Sequence, residues 1–214
     1  MSRFLDIETW PRAEHFAFYR TFDRPFFNVC VQVDVGPLKA WTEAHDVSFF
    51  LATLYISQTA VHEVDPFRYR MHGERVLVHD TLDAGSTVLR DDETFAFAYF
   101  EAADTFEAFH RQGQSVIASA QASSGLTPGE ERDDLIHYSV LPWLHFTSFT
   151  NARHGDPTDS IPKIVFGRYK PTESGELQMP VSIAVHHALV DGLHVGRYVE
   201  ALRTYCADPE ACLG

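Results

Sequence analysis

The sequence predicts a mixed α/β (α+β) protein, with a mixed β-sheet flanked by helices. Short alternating apolar runs are typical of strands, and longer apolar stretches suit buried or amphipathic helices. One pair of strands is joined by a hairpin turn near His72-Gly73. Strands and helices alternate irregularly, and neither a GxGxxG motif nor a P-loop is present. The pattern therefore does not favour a regular nucleotide-binding repeat.

Length and composition indicate one domain spanning residues 1–214. The net charge of −13 disfavours binding to nucleic acid or anionic membranes. Cys30, Cys206 and Cys212 are too sparse for a disulfide framework or a zinc cluster. The first residues lack a secretory signal pattern, and the longest apolar stretch, Ser48–Ile56, is too short to span a membrane. We therefore expect a cytoplasmic protein without nucleic-acid or membrane partners.

The first half of the chain is predicted to form two helices and several strands. Trp10-Pro11 begins a helix, because proline suits the first helical turn. Gly36-Pro37 ends the first strand. Alternation and apolar runs then predict a strand over Phe27–Val35, a buried helix over Val47–Val64, a hairpin over Arg68–His79 and a strand over Thr94–Phe100.

The second half is predicted to continue the same mixture. Helical spacing places a helix over Ala103–Gln121, and Ser123–Asp134 and Asn151–Ser160 are predicted loops. Alternation predicts one strand over Ile136–Thr150, broken at Leu141-Pro142, and two more over Lys163–Lys170 and Leu177–His187. A last helix runs from Asp191 to about Cys206.

The segment Val185–Leu202, VHHALVDGLHVGRYVEAL, is the clearest candidate for chemistry. A histidine at the end of a buried strand is held rigidly, and a neutral imidazole can accept a proton from a hydroxyl. Structural histidines, or a metal site at His186 and His187, are alternatives, although adjacent strand residues point to opposite faces. Asp191 alone could be a helix N-cap.

HHALVDGLHVGRYVEAL closely resembles the signature of chloramphenicol acetyltransferases, within the CoA-dependent acyltransferase superfamily. Three further segments agree with that family in order and at similar spacing. They are WPRAEHFAFYR (Trp10–Arg20), HGERVLVHD (His72–Asp80) and LPWLHFTSFT (Leu141–Thr150). The match runs essentially from end to end and implies the fold of that family.

The resemblance implies direct transfer of an acetyl group from acetyl-CoA to a hydroxyl, without an acyl-enzyme and without a metal. His187 would be the general base, with its other ring nitrogen bonded to its own backbone carbonyl. Ser148 would donate a hydrogen bond to the oxyanion of the tetrahedral intermediate. Asp191 would pair with Arg12 and order the catalytic turn.

The family is a homotrimer with active sites between subunits, so the acceptor pocket would come largely from a neighbouring copy. Phe18, Tyr19 and Phe95 would line that pocket, and Arg168 would lie near acetyl-CoA. The residues taken alone allow other roles: core packing for the aromatic rings, and solvent exposure for Arg168. Arg12 alone could be a solvated arginine, and the Ser148 hydroxyl could bond locally to backbone.

Chloramphenicol, inactivated as an antibiotic by acetylation, is the leading acceptor. Several pocket positions depart from the family: Asp23, Pro25, Thr127, Val165 and the polar loop Asn151–Ser160. An acidic side chain in an apolar pocket is costly unless paired, and pocket shape governs acceptor choice. Another small alcohol is therefore the main alternative acceptor. A non-catalytic trimer that binds a hydrophobic ligand is the alternative of another class. An acyltransferase that acts on a lipoyl thiol is disfavoured, because the sequence has no lipoyl domain and no linker rich in alanine and proline.

Overall fold

The computed structural model describes residues 2–126, 132–153, 155 and 158–214. The helices are α1 (Ala13–Tyr19), α2 (Gly36–Ala44), α3 (Phe49–His62), α4 (Phe106–Ala122), α5 (Gly192–Ala207) and α6 (Glu210–Leu213). The strands are β1 (Ser2–Phe4), β2 (Phe26–Asp34), β3 (Tyr69–His72), β4 (Arg75–His79), β5 (Asp83–Leu89), β6 (Phe95–Phe100), β7 (Leu135–Leu141), β8 (Lys163–Gly167), β9 (Lys170–Pro171) and β10 (Leu177–His186).

A seven-stranded sheet organises the molecule. Its order is β2-β10-β8-β7-β5-β6, and β9 also pairs with β10. The pairs β5–β7 and β7–β8 are parallel, and the other pairs are antiparallel. Strands β1, β4 and β3 form a separate small antiparallel sheet. The mixed sheet with helices confirms the predicted fold class.

The two faces of the large sheet differ in what covers them. On β10, Val181, Ile183 and Val185 belong to the hydrophobic core. Helices α2 to α5 contact one another, and α3, α4 and α5 each contact the sheet, so they form one layer over the core. Alternate residues of β10, such as Ser182, point to the opposite face, because successive strand side chains alternate. We call this opposite side the open face.

Most of the predicted elements are present, with boundaries shifted by a few residues. The hairpin of β3 and β4, the strands β2, β6, β8 and β10, and the helices α1, α3, α4 and α5 are confirmed. The strand predicted up to Thr150 is wrong beyond Leu141, because residues 142–150 form no ladder and instead cross the open face. Helices α2 and α6 and strands β1 and β5 were not predicted.

The structure describes only part of each of the two predicted loops. Helix α4 ends at Ala122, as the first loop requires, but Thr127 lies outside the described residues. The loop over Asn151–Ser160 is described except at positions 154, 156 and 157. Within the described residues, no helix combines the length and apolar character needed to cross a membrane.

Candidate active site

The turn between β10 and α5 holds His187 by its backbone. Its N–H donates to the carbonyl of Pro25 at 2.8 Å. The next turn is closed by N–H groups of Leu189 and Val190, which both donate to the His186 carbonyl at 3.0 Å. Pro25, which directly precedes β2, therefore holds the turn from one side through its backbone carbonyl, although its side chain departs from the family pattern.

The ring of His187 has a defined orientation. Its Nδ1 lies 3.3 Å from the Val190 carbonyl, so the Nδ1–H donates there, and Nε2 is the nitrogen that would carry the lone pair of the neutral ring. The resemblance implied the carbonyl of His187 itself as the partner of this nitrogen, whereas the structure pairs the nitrogen with the carbonyl of Val190. The ring stacks on Tyr19 at 4.0 Å between centroids and lies 4.8 Å from the ring of Phe27.

Arg12 and Asp191 close the turn from the other side. Arg12 precedes α1, and its guanidinium pairs with Asp191 Oδ2 and donates to the His187 carbonyl at 3.3 Å. Asp191 Oδ1 caps α5 by accepting from the N–H of Leu193 at 3.0 Å. Asp191 is therefore both an N-cap and an ion-pair partner, although the two possibilities were predicted as alternatives.

The charge of Asp191 is stabilised where it lies. Burial alone would raise its pKa, but His194, Arg12 and the N–H groups that it caps outweigh burial and lower the pKa below its usual value. The carboxylate therefore stays ionised at neutral pH. Its two oxygens are occupied by Arg12 and the helix start, so it orders the turn rather than taking a proton from His187.

The neighbouring histidine has a different environment. His186 is only 2% exposed, and burial lowers its pKa to about 4. Its Nδ1 accepts the N–H of Ala188 at 3.2 Å, which fixes a neutral ring. Among the described residues, no group of three or more His, Cys, Asp or Glu side chains is arranged to hold a metal ion.

Aromatic rings surround His187 on the α1 side. Phe18, Tyr19 and Phe22 contact one another with centroids 5.0 to 5.2 Å apart. Phe18 is 61% exposed and Phe22 is 44% exposed, so the cluster offers an apolar surface next to His187. Phe22 was not singled out in the sequence, although its spacing from Phe18 fits one helical turn.

Ser148 lies on the irregular segment after β7 and is exposed. The carbonyl of its neighbour Phe149 accepts a hydrogen bond from the Asn28 amide, and Asn28 in turn accepts from Ser182 Oγ at 3.0 Å. This chain of bonds fixes the segment on β2 and β10. The described residues include no hydrogen bond between Ser148 and His187.

Ser139 is a second serine on the open face. It lies on β7 opposite Val165 of β8, and Val165 lies opposite Ser182 of β10. The three residues therefore form one row across regular strands. The sequence did not single out Ser139. The period of two along β7 nevertheless places its side chain on the face of the sheet opposite to that of the core residue Tyr138.

Phe95 and Arg168 lie away from His187. Phe95 is 44% exposed on β6, four strands from β10, which corresponds to roughly 19 Å at the usual strand spacing. Arg168 is exposed and directly follows β8. Its N–H donates to the Leu144 carbonyl at 2.7 Å, so its backbone is bonded to the segment of residues 142–150 that crosses the open face. One copy of the chain therefore does not bring Phe95 to His187. Asp23 is exposed, so its charge is not in a dry pocket.

Comparisons with known proteins agree with this architecture. A family model described as chloramphenicol acetyltransferase matches residues 2–203. Chloramphenicol acetyltransferase 3 of Escherichia coli is 30% identical over 205 residues, covering 94% of this chain and 95% of that protein. The chloramphenicol acetyltransferase of Bacillus pumilus is 29% identical over 198 residues, covering 92% and 90%.

Solved structures extend the comparison. A chloramphenicol acetyltransferase superposes with a TM-score of 0.90 at 28% identity, covering 96% of this chain and 100% of the other. The dihydrolipoamide acetyltransferase of Azotobacter vinelandii superposes with a TM-score of 0.69 at 14% identity, covering 94% and 89%. The second likeness shows a shared fold alone.

Proposed function

Because the chain belongs to the chloramphenicol acetyltransferase family, we propose that it transfers the acetyl group of acetyl-CoA to a hydroxyl of chloramphenicol. The observation that carries the proposal is the state of His187. Its backbone is fixed by Pro25 and Arg12, its Nδ1 proton is held by a carbonyl, and its Nε2 is left to accept a proton. An imidazole held with one nitrogen directed at the reacting hydroxyl is what general base catalysis requires.

The reaction proceeds in one ternary complex. Nε2 of His187 takes the proton of the acceptor hydroxyl as that oxygen attacks the thioester carbonyl. A serine hydroxyl donates to the oxyanion of the tetrahedral intermediate. The carbon–sulfur bond then breaks, the acetyl ester leaves on the acceptor, and the proton passes from His187 to the CoA sulfur. No step is assigned to a metal ion.

The donor to the oxyanion is assigned to Ser148 by resemblance, and Ser139 is the alternative supported by packing. A donor must be rigid to stabilise a developing charge, and Ser139 lies on a regular strand whereas Ser148 follows an irregular path. Alanine variants of both serines separate them. The variant that lacks the true donor should have a kcat about 100- to 1,000-fold lower than the wild type. The other variant should have a kcat near that of the wild type.

The active unit is proposed to be a cytoplasmic homotrimer of one-domain subunits. Phe95 lies across the sheet from His187 within one copy, so a neighbouring copy is needed to bring such a ring to the base. Phe18, Tyr19 and Phe95 would then contact the acceptor, and the exposed Arg168 would face the CoA phosphates. Light scattering should give the mass of three chains, and a monomer would contradict the shared site.

The test of function is thiol release from acetyl-CoA with chloramphenicol as acceptor. His187→Ala should lower the rate by about 100- to 10,000-fold, the usual contribution of a general base. His15→Ala is the matched control, since His15 is exposed on α1. Equal rates for the two variants would rule out His187 as the base.

Two other functions predict different outcomes of the same assay. A family enzyme for another alcohol would release thiol only when that alcohol is supplied. A non-catalytic trimer would bind a hydrophobic ligand and show only slow thioester hydrolysis that no acceptor accelerates. The oriented ring of His187 favours the enzyme, because ligand binding alone does not need it.

A further inference from the structure

Two polar side chains face each other on the open face, away from His187. His137 of β7 and Lys163 of β8 are partners in the parallel ladder, so their side chains leave the sheet on the same side. Their ionisation is coupled, because the positive charge of Lys163 acts on the His137 ring. Neither residue belongs to the hydrophobic core, and both are half-buried.

Across the part of the chain that the structure describes, neither ring nitrogen of His137 has a hydrogen-bond partner, which is unusual for a half-buried polar group. Burial, and then the charge of Lys163, lower its pKa to about 4. The ring is therefore neutral at physiological pH and offers one donor and one acceptor.

Lys163 lies near the carboxylate of Asp159, but the two side chains do not form an ion pair. Its ammonium donates to the carbonyl of Ala152 at 2.8 Å, and no other acceptor among the described residues is bonded to it. The nearby guanidinium of Arg153 is already paired with Asp159 at 2.8 Å. Among the described residues Lys163 forms no ion pair, although acidic residues outnumber basic ones by 30 to 17. Burial also lowers its pKa, so the charge is poorly solvated where it lies.

Aromatic rings continue from this pair along the open face. Gly85 of β5 is the ladder partner of both His137 and Tyr99, and a Cβ at Gly85 would lie 3.5 Å from each ring. The next outward residues of β6 are Phe97 and Phe95, which are 37% and 44% exposed. The open face therefore offers an apolar platform that ends at a donor-rich pair.

We infer that His137 and Lys163 form a polar subsite that selects aromatic alcohols whose ring carries an anionic or strongly hydrogen-bond-accepting substituent. The inference rests on the proposed function, since it assigns the substituent end of the acceptor, whose hydroxyl would lose its proton to His187 of a neighbouring copy. The ring lies against Phe95 and Phe97, and the substituent accepts hydrogen bonds from the ammonium and from the imidazole N–H.

The test uses two acceptors that differ in one charge: the chloramphenicol analogue with a carboxylate in place of the nitro group, and the methyl ester of that analogue. The ratio of kcat/KM for the carboxylate to kcat/KM for the ester should fall about 10- to 100-fold in Lys163→Met, because a hydrogen bond to a charged group is lost. Lys163→Arg should keep most of the ratio. Lys39→Met, which removes an equal charge on α2, should leave it unchanged.

An equal loss for both acceptors in Lys163→Met would overturn the subsite and leave Lys163 a structural residue of the Ala152 segment. Thiol release by the wild type with chloramphenicol tests the proposed function separately. Should the wild type acetylate none of these alcohols, calorimetric titration with the carboxylate and the ester still decides. Binding of the carboxylate that weakens in Lys163→Met supports the subsite, and equal binding overturns it.

Discussion

Asp191→Asn isolates the ion pair that holds the turn carrying His187. Asparagine caps a helix as well as aspartate does, so the bonds to the first N–H groups of α5 are retained. The change removes the charge that faces Arg12, whose guanidinium also holds the carbonyl of His187. Both the stability of the fold and the orientation of the base should respond.

The magnitude follows from the burial of the pair. Removing one partner of a fully buried pair costs about 3–5 kcal/mol, whereas an exposed pair contributes about 0–1 kcal/mol. The side chains of Arg12 and Asp191 are 14% and 30% exposed, so the pair lies between these limits. We expect a loss of about 2 kcal/mol and a melting temperature lowered by about 4–8 °C for a protein of this size.

Thermal unfolding and thiol release check the expectation together. Asp191→Ala is the comparison that also removes the cap, and it should cost about 1 kcal/mol more than Asp191→Asn. Adding Arg12→Met to Asp191→Asn should restore part of the stability, because no buried charge is then left unpaired. If Asp191→Asn had the melting temperature and the rate of thiol release of the wild type, the pair would have no role in ordering the turn.

The pH dependence has a definite sign. The pKa of Asp191 is lowered in the folded protein, so its contribution is present above the unfolded value of about 3.9. That contribution disappears as the pH falls through the folded pKa. The wild type and Asp191→Asn should therefore differ in stability at pH 7 and converge in strong acid.

Three further changes test packing and charge elsewhere in the fold. Gly167→Ala would place a Cβ 2.6 Å from the Pro180 ring and 2.8 Å from the Leu144 carbonyl, and it should cost about 1–3 kcal/mol in thermal unfolding. Gly196→Ala, with open space around it on α5, should not destabilise. Asp133 accepts bonds from His79 and His72, which lower its pKa, so the stability lost in Asp133→Asn should persist down to about pH 3.9. The difference from the wild type in acid denaturation should shrink only at lower pH, as the pH falls toward the lowered folded pKa.

The catalytic turn was predictable because several local signals coincide there. Strand alternation ends at His186, and Asp191-Gly192 begins a helix, so both the strand and the helix follow from the sequence. The contact between Arg12 and Asp191 spans 179 positions along the chain. No local pattern specifies such a contact, and only the family resemblance predicted it.

The elements that were missed have identifiable causes. Gly36-Pro37 reads as the end of a strand, yet proline in the first turn also begins α2. Strand β5, with the sequence DAGSTVL, has few residues that favour strands and is buried on both sides. The segment from Leu144 to Phe149 alternates like a strand but forms no hydrogen-bonded ladder with the sheet. It contacts the sheet through side-chain packing instead, as the closeness of Phe146 to Gly167 shows.

The open face explains why the sequence identified His187 but not His137, Ser139 or Lys163. A period of two along a strand divides its side chains into two sets, but it does not show which set faces the helices. That assignment depends on where α3, α4 and α5 pack, which is a property of the whole sheet. Once the helices are placed on one side, the polar residues of β7 and β8 are assigned to the opposite, open face.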